Sequence, residues 1–90
     1  LIDSFLEDSP QCLSNLRQGL ERSDAKRIHL AAHTLKANAA EFGAEHLREL
    51  NRELEELAKR GTLEDAPDLV TAIEEEYVLV QRALETVRGA

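Results

Sequence analysis

Apolar residues fall along this chain in four stripes, each with the alternating three- and four-residue spacing of one helical face. Ile2, Phe5, Leu6, Leu13, Leu16 and Leu20 mark the first, and Ile28, Ala32, Leu35, Ala39 and Phe42 the second. The third runs through Leu47, Leu50, Leu54, Leu57 and Ala58, the fourth through Leu69, Val70, Ile73, Tyr77, Val80, Leu84 and Val87. Residues that start or stop helices stand between them. Ser23-Asp24 offers an N-cap, Gly43 ends the second segment and Gly61 sits where a left-handed cap is needed. Pro67, in a linker from Thr62 to Asp68, belongs in the first turn of the last helix. Pro10 removes one backbone donor inside the first stripe, which predicts a kink between Leu6 and Pro10.

Connections this short force sequential helices to be antiparallel. The expected fold is therefore all-α, an antiparallel up-down-up-down four-helix bundle forming one domain over residues 1–90. Composition agrees, since four Gly, two Pro and 3% aromatic residues describe packed helices rather than a sheet. Ninety residues can bury one modest core but cannot wall a deep substrate cavity, so an elaborate enzyme is not expected. Leu1 already lies inside a periodic pattern with no initiator methionine, and we expect a module of a longer polypeptide.

Eighteen acidic residues against eleven basic ones give a formal charge of −7, which disfavours nucleic acid and anionic membrane surfaces as partners. A protein partner is expected instead. The single cysteine, Cys12, excludes an intrachain disulfide, suits a small core or boundary position and fits a reducing, cytoplasmic setting. No apolar run is long enough to span a bilayer.

Candidate chemistry concentrates in Ala32 to Gly43, AHTLKANAAEFG. His33 and Lys36 share a helical face at the edge of the second stripe, so the ammonium can reach an anion attached to the imidazole. A nucleophilic imidazole needs one ring nitrogen open to solvent and unprotonated while the other gives its proton to an acceptor. With the second and third helices antiparallel about Gly43, His33 lies level with Arg52 to Glu55. The Glu55 carboxylate can then accept from Nδ1–H and stabilise the cationic ring that forms on phosphorylation. Arg52, on an adjacent face, would add positive charge near the phosphoryl group.

HTLKANAAEFGA followed by LRELNRELEELAKRG resembles the histidine-containing phosphotransfer (HPt) domain pattern over nearly the whole chain. The family's motif falls on His33, Leu35, Lys36, Gly43, Leu47, Leu50, Leu54, Glu55, Ala58 and Gly61, and departs at Ala37, where Gly is commoner, and at Asn38, where Ser or Ala is usual. The resemblance implies that His33 accepts a phosphoryl group from, or passes it to, an aspartate of a response-regulator receiver domain, with Lys36 stabilising phosphoryl charge and Glu55 orienting the ring. It implies no cofactor of the chain's own, with Mg²⁺ expected in the receiver, and it makes the domain a carrier more than an enzyme, possible as part of a hybrid sensor kinase. Recognition would use an exposed edge of the first two helices: Ile2, Phe5, Leu6, His29, Leu30, Ala37 and Ala40. Basic residues concentrate in the central helices, which would leave that face near neutral or positive and suited to an acidic receiver pocket.

Other readings compete. His29 and His33 are four apart and could share a metal with Glu55 or His46, but HExxH is absent and no Cys or Asp cluster converges there, so no metal site is expected. A helical adaptor or dimerisation bundle without phosphoryl chemistry would explain the stripes, though not the combination of His33, Lys36, Glu55 and small neighbours. The dimerising part of a sensor kinase would need two helices per chain. Four self-sufficient stripes suit a monomer.

Overall fold

The computed structural model describes residues 1–89, and all four stripes become helices: α1 (Ile2–Glu21), α2 (Ala25–Glu41), α3 (Glu45–Arg60) and α4 (Ala66–Gly89). Three tight turns reverse the chain, each through a residue with positive φ. Ser23 (φ 49°) lets the Asp24 amide donate to the Gly19 carbonyl at 2.8 Å, after which the Asp24 side chain caps α2 by accepting from the Arg27 amide at 3.1 Å. Gly43 (φ 67°) returns the Ala44 amide to Ala39 at 2.9 Å, and Gly61 (φ 74°) returns Thr62 to Leu57 at 3.0 Å. Glycine adopts that backbone without the strain a Cβ brings.

Helices that follow one another pack together and α4 closes back on α1, whereas among the described residues the diagonal pairs bring no Cα atoms within 8 Å. The result is an antiparallel four-helix ring with extents of 42 × 20 × 18 Å. α2 against α3 is the fullest interface and α1 against α4 the thinnest. Leu16, Ile28, Leu35, Leu47, Leu54, Val70 and Ile73 fill the centre, each without exposed surface. At one end Phe5 sits between Phe42 and Tyr77, with ring centroids 5.3 and 5.8 Å apart.

Some details depart from these expectations and others add to them. α1 continues through Pro10 as one helix, and the expected kink is not confirmed; Pro10 is exposed, so the carbonyl left without a helical donor belongs to the solvent side. Val87 extends the fourth stripe in sequence but is 62% exposed, because the last turns of α4 pass beyond the core. Tyr77 is buried with its hydroxyl inside; burial pushes its phenol up, with the neighbouring Ser9 hydroxyl opposing. Ser9 and Asn51 are buried polar residues that the stripes did not reveal. Cys12 is a buried thiol, pushed up first by burial and then by Asp8.

Candidate functional site

The core stripe of α2 carries Ile28, Ala32, Leu35 and Ala39 inward, which turns His29, His33 and Lys36 toward the seam with α3. α3 answers with Glu55, next to the buried Leu54, so that its carboxylate rises into the same seam. His33 Nδ1 stands 2.6 Å from Glu55 Oε2, and Lys36 donates from Nζ to Glu55 Oε1 at 2.5 Å. One carboxylate thereby holds both. Its side chain is 14% exposed whereas that of His33 is 61% exposed, so the acceptor is fixed in the seam and the ring reaches into solvent.

Burial acts to raise the Glu55 carboxyl, but the hydrogen bonds from Lys36 and His33, with their charges, outweigh it and hold its pKa below the ordinary glutamate value. An ionised carboxylate only accepts, so the short contact assigns the proton to Nδ1 of a neutral His33 and leaves the Nε2 lone pair free. A cationic ring formed by attack through Nε2 would keep that Nδ1–H on Glu55. The arrangement is that of an oriented nucleophile with its counter-charge already in place.

His29, one turn before His33, presents Nε2 3.7 Å from the same Glu55 Oε2, and the two imidazoles lie nearly parallel with centroids 6.4 Å apart. Arg52 is elsewhere engaged: its guanidinium forks onto Glu49 at 2.9 and 2.5 Å and makes no hydrogen bond to His33, Lys36 or Glu55. Leu30 (58% exposed), Ala37 and Ala40 are open around the histidine, while Ile2 and Leu6 are half-buried. Phe5, expected on the recognition face, is 3% exposed and belongs to the core, since its ring fills the gap between Phe42 and Tyr77.

The bond between Lys36 and Glu55 went unforeseen, because spacing along α3 pairs Glu55 with Lys59 on its own helix. The signal that could have found it is the register about Gly43, which already places Glu55 across from His33 and brings a lysine one turn further on within reach. Among the described residues, no group of three His, Cys, Asp or Glu side chains is gathered as a metal site, and no helix is long and apolar enough to cross a membrane. His46 is exposed near the start of α3.

Comparison with known proteins agrees with this geometry. No curated protein matches the chain by sequence. A crystal structure of histidine-containing phosphotransfer protein B (HptB) from Pseudomonas aeruginosa PAO1 superposes with a TM-score of 0.94 at 34% identity, covering 98% of this chain and 76% of that one. The model of the Hpt domain family matches residues 1–90. With the histidine, its carboxylate partner and the four-helix ring in place, the chain belongs to the Hpt domain family and serves histidine phosphotransfer in a phosphorelay.

Proposed function

We propose that His33 is the phosphoacceptor and that it exchanges its phosphoryl group with an aspartate of a response-regulator receiver domain. The observation that carries this is the 2.6 Å contact of Nδ1 with a carboxylate only 14% exposed, beneath a ring that is 61% exposed. In the accepting direction the Nε2 lone pair attacks phosphorus of the aspartyl phosphate, the bond from phosphorus to the aspartate oxygen breaks, and the aspartate leaves as a carboxylate. The ring becomes cationic, keeps its proton on Nδ1 and is stabilised by Glu55. Lys36 uses one ammonium donor on Glu55 and has two left for phosphoryl oxygens. Transfer of this kind depends on positioning and charge neutralisation, and the chain supplies both on its side, with Mg²⁺ expected in the receiver.

The docking face is the part of α2 around the histidine, the exposed Leu30, Ala37 and Ala40 with the half-buried His29, flanked by the half-buried Ile2 and Leu6 of α1. α2 carries Lys26, Arg27 and Lys36 and no acidic residue before Glu41, in a chain of charge −7, so an acidic receiver pocket complements it. We read the domain as a monomeric cytoplasmic carrier. Arg52, held by Glu49, contributes charge only at the margin of this face.

The test is incubation with a phosphorylated receiver, followed by intact-mass analysis. Wild type should gain one acid-labile, base-stable phosphoryl group. His33→Gln should gain none while its helical content and melting temperature stay close to wild type, since the side chain is mostly in solvent. A labelled His33→Gln protein would overturn the assignment.

A further inference from the structure

We propose that the outer face of α4 is a self-association surface, on which two copies of the domain pair antiparallel about a two-fold axis between Val78 and Leu79, with Glu75 of each copy against Arg82 of the other. α4 turns Val70, Ile73 and Tyr77 into the core. On the opposite side of the helix Glu75, Val78, Leu79 and Arg82 follow one another at three- and four-residue spacing, and all four are exposed. Leu79 is 59% exposed and Val78 39%, two adjacent apolar side chains left in water at the middle of that face.

The order of charges identifies the occupant as a second copy. An acid, Glu75, stands one turn before the apolar pair and a base, Arg82, one turn after it. Among the described residues neither makes an ion pair within its own chain. The run Glu-x-x-Val-Leu-x-x-Arg is therefore its own complement when reversed. Laid antiparallel, Leu79 meets the partner's Val78, and the pairing of Glu75 with the partner's Arg82 forms twice, as an interface that uses one patch on both copies requires. A parallel arrangement would set Glu75 against Glu75 and Arg82 against Arg82. Thr71, Ala83 and Thr86, exposed on either side, are short enough to let a second helix lie close. α4 touches α3 and α1 but not α2, so pairing through α4 leaves α2 and its histidine on the far side of each copy.

The patch is small and each copy carries a charge of −7, which opposes association. An interface in the weak class, below about 1,200 Å², with a Kd of roughly 0.1–1 mM is expected. Dilute, the domain is the monomeric carrier described above. The pairing does not depend on the chemistry of His33. Sedimentation equilibrium of the domain from about 10 μM to about 2 mM tests it, and wild type should pass from monomer to dimer mass over that range. Leu79→Ser, Glu75→Arg and Arg82→Glu, all at exposed positions, should each raise Kd roughly tenfold, and Glu75→Arg combined with Arg82→Glu should return it to within about threefold of wild type. General repulsion predicts otherwise: Glu75→Arg makes the chain less negative and Arg82→Glu more negative, so Kd would move in opposite directions, while the double variant keeps the charge of wild type. Wild type that stays monomeric throughout, single charge variants that diverge, a Leu79→Ser protein that still pairs, or a double variant that fails to recover overturns the proposal.

Discussion

Glu55 carries two separable duties, and pH divides them. Its carboxyl is held below the ordinary glutamate value in the folded domain, so its contribution to stability is fully present above about pH 4.3, the unfolded value, and disappears as pH falls through the folded one. Urea unfolding of wild type and Glu55→Gln should therefore differ by a fixed amount at pH 5 and converge toward pH 3. A difference that widens on acidification would refute the ion-pair account. Reactivity tests the other duty. Glu55→Ala removes the acceptor for Nδ1–H and should slow phosphoryl acceptance roughly 10–100-fold, the usual cost of losing the group that orients a histidine. Glu55→Gln, which can still accept, should lose less. Lys36→Ala should cost roughly tenfold, about one charge-assisted hydrogen bond, in single-turnover transfer.

Helices, as elements, were legible because the stripes and their stop signals agreed, and the pairing of His33 with Glu55 was legible because a turn at Gly43 fixes the register of α2 on α3. Contacts decided by reach rather than by register were not. Arg52 could turn to the seam or to Glu49, and a flexible guanidinium takes the nearer carboxylate; Lys36 could stand free or cross to Glu55, and it crosses. Asn51 is hidden for another reason. Its amide nitrogen donates locally to the Leu47 carbonyl at 2.9 Å while its buried Oδ1 has no partner among the described residues, so a polar residue occupies a core position that spacing alone assigns to its neighbour Leu50. Gly19 also escaped notice. A Cβ there would stand 2.5 Å from Ile28 Cγ1 and 3.3 Å from the Asp24 carbonyl, so the glycine marks a close approach of α1 to the start of α2. Helix propensity favours Gly19→Ala by about 1 kcal/mol, but crowding a well-packed core costs about 1–3 kcal/mol. With Ile28 fully buried the clash should win, and chemical denaturation should show a net loss.

Across the whole molecule, charge is distributed against its own total. A chain of −7 presents a helix with no acidic residue from Ala25 to Ala40 around His33. Attraction to an acidic receiver is then local and screened over about 8–10 Å at physiological salt. Raising ionic strength from ~50 to ~500 mM should lower the second-order rate of transfer roughly several-fold while leaving the first-order step within the complex unchanged. Rapid-quench kinetics at varied receiver concentration separates the two. An unchanged second-order rate would mean that apolar contacts at Leu30 and its neighbours govern association.

The ring of contacts has a consequence for how the molecule comes apart. Three of its four interfaces join helices consecutive in the chain, and the fullest is the seam that holds His33, Lys36 and Glu55. Closing a hairpin of that length costs little loop entropy, and chains built from such local contacts fold in microseconds to milliseconds. The remaining interface, α1 with α4, is the thinnest and the one that spans the chain from end to end, laced by Arg17 to Glu74 and Arg88 to Asp3. Partial opening of the native state begins where stabilisation is least, at that outer clasp. A domain breathing in this way parts α4 from α1 first and keeps the histidine and its carboxylate together on a hairpin that outlasts the rest.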